Sequence, residues 1–433
     1  MPKKTGPSSA SSDFKKALKV GRPPNVKKLF PHSQALLVSG KAIDRAMIAK
    51  GKAIALAANG RNQFVIRGAL LAAQRANAAL IIEIAKSEGG TKSYCAVNFW
   101  NMAMLVDTIC NELGITIPVA IHADHYGIKN EKDLAAAKIE IPTMFEAGMT
   151  SIAIDASHLP DDKNLLTNIA ITPFIPKWAG YETEVGEIKG AEGLSTVEEA
   201  VFLIQGLNAH NLFPDWIALN NGTTHGIEEK DSGIQVQLTA DIHKALEKYK
   251  VSGAQHGTSG NSSERLRQIA NNTHTTKANV ATALQFISWG VLVNDYGNAI
   301  LDAEGNFNKV GGGGVTEEMW AEMVAHAQSK GWKKGDYKNL NLPFENKLLA
   351  QSKQIRDRMV KGVRDFAYKM IVEVLNSKDT APLVVEAVLK AGSYNLGPKV
   401  KRMEAPAEWT ENKIAEKASR LGGNKGPAGK YDD

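Results

Sequence analysis

Between Lys41 and about Asn298 the chain alternates short apolar runs with longer amphipathic stretches, and this alternation limits its fold more than any other feature. Such a pattern builds repeated βα units whose strands pair in parallel. The apolar runs fall at 53–57, 79–84, 117–122, 150–155, 181–186, 215–219, 251–255 and 288–293. Helical stretches lie between them at 62–76, 98–113, 131–147, 195–210, 235–249 and 262–271. Eight strands alternating with helices predict an α/β chain folded as a (β/α)8 TIM barrel, not an open doubly wound sheet.

A chain of 433 residues can bury one large core and still carry an appendage. The barrel is expected over 31–310. Beyond Asn298 the pattern changes to a turn at Ala303-Glu304-Gly305, the run Gly311-Gly312-Gly313-Gly314, and helical stretches near 316–329, 346–376 and 382–391. These predict a helical C-terminal extension over 311–420, packed on the barrel or on a neighbouring subunit, and a disordered tail at 421–433. Residues 1–30 carry Lys3, Lys4, Lys15, Lys16, Lys19, Arg22, Lys27 and Lys28 against Asp13 alone. They read as a basic, disordered N-terminal tail, with an organelle-targeting segment as the alternative.

Composition removes several classes of function. The net charge of +6 is concentrated at the chain ends, and the basic residues form no nucleic-acid-binding motif, so no nucleic-acid partner is expected. No apolar run approaches the roughly 20 residues of a membrane-spanning helix, so no membrane partner is expected either. Cys95 and Cys110 are too few for a disulfide framework and lack metal-binding spacing, which points to a reducing, cytoplasmic location. Zinc, if bound, would be held by His, Asp or Glu.

Active sites of such barrels lie at the C-terminal ends of the strands, so polar residues just past each apolar run are the candidates. They are Asn59, Ser87, Asp124 with His125, Asp155, Glu184 with Glu192, His225, His256 and Asn294. His125, His225 and His256 end three different runs, and three imidazoles leave coordination positions open, as a catalytic zinc site requires. Asp124, beside one of these ligands, is either a general acid/base or a carboxylate that orients an imidazole. His122, on the strand itself, reads as a buried supporting histidine. Asp155 and Glu184 form a second, deeper metal position or a hydrogen-bonded network. Gly257, Thr258 and Ser259 lead into a helix start that offers backbone N–H groups to an anion, or serve as plain helix capping, and Gly226 would let a phosphate approach the backbone.

Taken together these motifs resemble the class II, metal-dependent fructose-bisphosphate aldolases from about Lys52 to Gln268. His122-Ala123-Asp124-His125 is similar to the family's His-x-Asp-His. Ser151 to Pro160 resembles the segment whose Asp can bind a second, buried metal. Glu184-Val185-Gly186 through Glu192 resembles the Glu-Leu-Gly stretch and the mobile loop after it. Gly222-Thr223-Thr224-His225-Gly226 and His256-Gly257-Thr258-Ser259-Gly260 resemble the remaining ligand motifs, with Thr258 where Gly is usual.

The resemblance implies zinc-dependent, reversible cleavage of fructose 1,6-bisphosphate to dihydroxyacetone phosphate and glyceraldehyde 3-phosphate, as in glycolysis and gluconeogenesis. Asp124 is then the acid/base and Glu192 assists proton transfer. His125, His225 and His256 hold the metal, Asp155 and Glu184 hold a second cation, divalent or monovalent, and Asn59 and Ser87 bind substrate. Cobalt or manganese could replace zinc, and the implied assembly is a homodimer or homotetramer. The departure is at the last predicted strand, where the family's Lys-x-Asn and following Asp-Thr-Asp-like run are read here as Leu292-Val293-Asn294-Asp295-Tyr296-Gly297. That leaves two alternatives: an aldolase for tagatose or sedoheptulose bisphosphate, or a sugar-phosphate-binding barrel without turnover.

Overall fold

In the computed structural model, which describes residues 11–186, 193–222, 233–259, 261–295 and 297–421, eight parallel strands close in the order β1-β2-β3-β4-β5-β6-β7-β8. Three helices precede the barrel: α1 (Ser12–Val20), α2 (Pro24–Leu29) and α3 (Gly40–Lys50). The first half of the barrel then runs β1 (Ala55–Asn59), α4 (Gln63–Ala76), β2 (Leu80–Ala85), α5 (Lys86–Gly89), α6 (Met102–Leu113), β3 (Val119–Gly127), α7 (Glu131–Glu146), β4 (Ser151–Asp155) and α8 (Asp161–Ile171). The second half runs β5 (Gly180–Val185), α9 (Val197–Ala209), β6 (Trp216–Leu219), α10 (Val236–Ala245), β7 (Ser252–Gln255), α11 (Ser263–Asn272), β8 (Thr275–Val280) and α12 (Thr282–Trp289). After it come α13 (Glu317–Ser329), α14 (Asn341–Leu349), α15 (Lys353–Lys369), α16 (Ala381–Ala391) and α17 (Glu411–Ala418).

Alternation along the strands decides which residues line the barrel. Leu56 and Ala58 join an apolar cluster with Val65, Ile66 and Ala69 of α4, whereas Ala55 and Ala57 face inward among Ala120, Ala218, Ala254 and Trp216. With a period of two, Asn59 follows Ala55 and Ala57 onto the inner face. The barrel floor is closed by α3. A Cβ on Gly40 would lie 2.5 Å from Ser151 Oγ and 3.0 Å from Trp216, so only glycine lets this helix approach so closely.

Seven predicted strands coincide with observed ones to within a few residues, but the eighth does not. The run 288–293 is the end of α12 and the start of an antiparallel bridge, Val291 with Lys309, while β8 is Thr275–Val280. The true strand is hard to see because only its outward side, Ala278 and Val280, is apolar; Lys277 and Asn279 point into the barrel. Asn294, expected at a strand end, therefore sits in the connection after α12, where Asn298 N donates to its Oδ1 at 3.1 Å.

The N-terminal expectation also needs correction. From Ser12 the basic stretch forms α1 and α2, because Phe14 and Ala17, one turn apart, bury against Val384 and Val388 of α16. Arg22 is buried, its guanidinium donating to the carbonyls of Val26 and Ser33 at 3.3 Å each. At the other end of the chain α15 packs along α4 and α12, with Val363 and Ala367 in the same core as Val65 and Ile66. A Cβ on Gly68 of α4 would stand 2.5 Å from Val363, so the two helices meet at a glycine.

Candidate active site

Strand β3 carries the centre of the site. A regular strand would send Asp124 and His125 to opposite faces. Here the pairing of β3 with β4 shifts register between Ala123 and Tyr126, and His125 takes φ 41°. The bulge turns both side chains inward: Asp124 Oδ1 accepts from Asn279 Nδ2 at 2.9 Å, and His125 Nδ1 lies 3.1 Å from Glu184 Oε1 and 3.5 Å from Asp155 Oδ2. Such a backbone is strained for a residue with a side chain, and strain of this kind is kept where it aims a functional group.

His256, just past β7, stacks edge-on to His125 with ring centroids 4.2 Å apart. Its Nε2 lies 2.8 Å from Glu182 Oε1 and its Nδ1 3.7 Å from Glu184 Oε2. One ligand atom each from Asp124, His125 and His256 falls within a single 4.8 Å group, and so does one each from His125, Asp155 and Glu184. The structure thus brings together Asp124, His125, His256, Asp155 and Glu184. His122 is wholly buried below them, with Nδ1 2.8 Å from Ser151 Oγ and Nε2 3.5 Å from Glu182; burial drives its pKa well below that of a free imidazole, so it is a neutral support.

Charge decides whether a cation belongs here. Glu83, Asp124, Asp155, Glu182 and Glu184 are all buried, and among the described residues the one lysine in the cluster is Lys277, whose Nζ lies 3.0 Å from Glu182, 3.2 Å from Glu83 and 3.5 Å from Asp124. Buried carboxylates in such excess are tolerated only if protonated or paired with a cation. Burial and the neighbouring Asp155 push the Glu184 carboxyl up to about 8, despite His125. Burial alone would raise Asp124 too, but His125 and Lys277 outweigh it and hold its carboxyl below the usual range. A divalent cation among His125, His256 and these carboxylates would replace the protons that Glu184 and His125 otherwise take up. The donor set fits one, and the contact of Glu182 with His256 is of the carboxylate–imidazole kind that would orient this histidine toward a metal. The Glu83–His122–Asp124 group offers similar donors, but the Lys277 ammonium already sits against its carboxylates.

A sequence model of the family described as fructose-bisphosphate aldolase class-II matches residues 41–333. The chain belongs to that family. Among curated proteins it is 36% identical over 124 residues to the fructose-bisphosphate aldolase of Staphylococcus aureus, a match spanning 28% of this chain and only 39% of that protein. It is 30% identical over 232 residues to the fructose-bisphosphate aldolase of Ureaplasma parvum, spanning 53% of this chain and 74% of the relative. A sulfofructosephosphate aldolase of Alkalicoccus urumqiensis is 28% identical over 217 residues, or 49% of this chain and 70% of that one. In fold it resembles the YdjI aldolase from Escherichia coli K12, with a TM-score of 0.53 and 16% identity over 80% of this chain and 99% of that one.

With β8 placed correctly, this class-II chain does carry Lys-x-Asn, as Lys277-Ala278-Asn279. The run after it is Val280-Ala281-Thr282-Ala283, without the aspartates. Of the other expected site residues, Asn59 ends β1 and Ser87 lies half-buried in α5. Gly257 has φ 59°, Thr258 Oγ1 donates to Gln255 O at 3.4 Å, and the buried Ser259 Oγ has no hydrogen-bond partner among the described residues. Glu192, His225 and Gly226 lie outside the described residues. Reading the sequence for strand ends missed Glu83, Glu182 and Lys277, because all three sit within strands. Glu182-Thr183-Glu184 did hold the signal, since a period of two puts both glutamates on one face.

Proposed function

We propose that the chain is a metal-dependent aldolase that cleaves fructose 1,6-bisphosphate reversibly into dihydroxyacetone phosphate and glyceraldehyde 3-phosphate. The observation that carries this reading is one carboxylate, Asp124, held by Asn279 and Lys277 through Oδ1 beside two imidazoles at the mouth of the barrel. His125 and His256, with His225, hold the catalytic ion, which we take to be zinc, with cobalt or manganese able to replace it. Asp155 and Glu184 offer a deeper position for a second cation. When bound, the ion supplies Lewis-acid polarisation of the substrate's carbonyl and hydroxyl oxygens.

The chain's own groups do the rest. Asp124, kept ionised, takes the proton from the C4 hydroxyl, the C3–C4 bond breaks, C4 becomes the aldehyde carbon of glyceraldehyde 3-phosphate, and the electron pair stays on C3. A proton returned to C3, assisted by Glu192, completes dihydroxyacetone phosphate. Gly226, Gly257, Thr258 and Ser259 receive a phosphate; Asn59 and Ser87 receive the sugar chain. The ligand is a sugar bisphosphate, and the assembly a homodimer or homotetramer. Among the described residues no helix is long and apolar enough to cross a membrane.

One observation favours a second reading, an aldolase for another ketose phosphate: Ala281 and Ala283 flank Thr282 where an Asp-Thr-Asp-like run would hold substrate hydroxyls. Epimers differing at one hydroxyl are separated by such contacts. The test is cleavage of purified fructose, tagatose and sedoheptulose bisphosphates before and after chelation, with zinc, cobalt or manganese added back. Activity should vanish on chelation and return with the metal, and His256→Ala should lower it by ~1000-fold or more, the scale of Lewis-acid assistance. Activity that survives chelation and is trapped by borohydride would sink the proposal.

A further inference from the structure

A buried polar chain connects the C-terminal segment to the barrel mouth. Asn341, at the start of α14, donates through Nδ2 to Gln285 Oε1 at 3.0 Å, and the same oxygen accepts from Arg61 Nη1 at 2.9 Å. Arg61 Nε donates to Glu88 Oε1 at 2.7 Å, and Glu88 Oε2 accepts from Asn59 Nδ2 and from Ala85 N at 3.0 Å. A second tether reaches the same carboxylate: Leu342 N donates to Tyr94 O at 2.9 Å, and Tyr94 OH to Glu88 Oε1 at 3.2 Å. Asn59, Arg61, Glu88, Gln285 and Asn341 are all buried.

Donor and acceptor chemistry leaves this chain one polarity. Arginine only donates, so Gln285 must turn its oxygen to Arg61. Burial would raise the Glu88 carboxyl, but Arg61 overcomes it, so Glu88 is an ionised acceptor. An ionised carboxylate cannot donate, so Asn59 must turn its NH2 toward Glu88. Its oxygen is what remains, on the inner face at the C-terminal end of β1; Asn59 Oδ1 is buried and has no hydrogen-bond partner among the described residues.

We infer that Asn341, Gln285, Arg61 and Glu88 are positioning residues that fix the Asn59 carboxamide as an acceptor, so that the site takes a hydrogen-donating substrate group there, a hydroxyl rather than a phosphate or carbonyl oxygen. This rests on the reading of the site as one for a ketose phosphate. It also gives α14, outside the barrel, a part in substrate recognition.

Swapping amide and carboxylate tests the polarity. In Glu88→Gln the new side chain keeps its oxygen on Arg61 and turns its NH2 to Asn59, giving up the bond from Ala85 N, and Asn59 must flip and present a donor. KM for fructose 1,6-bisphosphate should rise ~10-fold, the scale of one hydrogen bond, with a smaller change in kcat. Asn59→Asp should be worse, because two carboxylates then face each other. The double variant Asn59→Asp/Glu88→Gln restores an acceptor toward the substrate and should return KM to within ~3-fold of the unmodified protein, a non-additive rescue that loss of structure would not produce. Asn341→Ala, at the far end of the chain, should shift KM in the same direction, and melting curves report whether each variant is folded.

A folded Glu88→Gln with unchanged KM, or a double variant no better than Glu88→Gln, overturns the inference. If Glu88→Gln does not fold, an unchanged KM in Asn341→Ala does so instead. If the unmodified protein neither cleaves the bisphosphate nor binds it in calorimetry, the functional reading falls and the inference with it. An active protein with silent variants removes the inference alone.

Discussion

At the barrel centre one ammonium, Lys277 Nζ, stands within 3.5 Å of Glu182, Glu83 and Asp124. Burial disfavours its charge, yet those carboxylates hold its pKa above the ordinary lysine value, so it stays a cation. Removing one member of a buried charge network costs about 3–5 kcal/mol, because the partners remain desolvated and unpaired. Lys277→Met should therefore lose that much stability at pH 8 in urea unfolding, and a loss under about 0.5 kcal/mol, the size of an ordinary surface change, would remove the network account. Lys277 also marks what the sequence hides at this scale. Asp124, His125 and His256 are legible because a polar residue directly after an apolar run stands out. Lys277, Glu83 and Glu182 do not stand out, because a charge within a strand normally reads as an exposed position, and only the closed barrel shows three strands delivering them to one point.

Among single elements, α14 carries a group whose ionisation is set by where the helix lies. Burial pushes the Glu345 carboxyl up to about 7, from an ordinary value of 4.5. A raised folded-state pKa means that the folded protein binds the proton more tightly than the unfolded chain, so stability falls as pH rises between about 4.5 and 7. Glu345→Gln removes that titration. The variant should match the unmodified protein at pH 4.5 and exceed it at pH 8 by on the order of 1 kcal/mol, read as a higher Tm. Equal melting temperatures at both pH values would contradict the burial account. Strand β8 shows why elements are legible only where their burial is one-sided and apolar. Thr275-Thr276-Lys277-Ala278-Asn279-Val280 is fully buried, but its inner face is polar because it lines the site, so no apolar run announces it. The run at 288–293 is apolar for another reason: Trp289 and Val291 pack in an aromatic cluster with Phe286, Phe307 and Trp320.

Over the whole molecule, the segment beyond the barrel strands is visible in the sequence as helices, but not its purpose. An amphipathic stripe says which face of a helix is buried and not against what. The four glycines at 311–314 and the amphipathic helices after them leave open whether those helices pack on the barrel or on a neighbouring subunit. In this chain α15 lies on α4 and α12 of the barrel, and Val363, Ala367, Met370, Ile371, Val374 and Leu375 share one apolar core with Val65, Ile66 and Ala69. Burying a large apolar side chain stabilises by about 1.5–3 kcal/mol. Several such side chains together rival the roughly 5–15 kcal/mol that holds a whole fold. A fragment ending at residue 310 should therefore lose cooperative unfolding and bind a hydrophobic dye. The connection from Arg45 Nη2 to Gly397 O at 3.0 Å and from Lys399 to Asp44 at 2.7 Å ties the last stretch to the barrel floor as well. A cut after α16 should accordingly cost less than the cut at 310 but still lower the melting temperature. If the 310 fragment unfolds cooperatively at the temperature of the full chain, the outer helices are an appendage and the barrel stands without them.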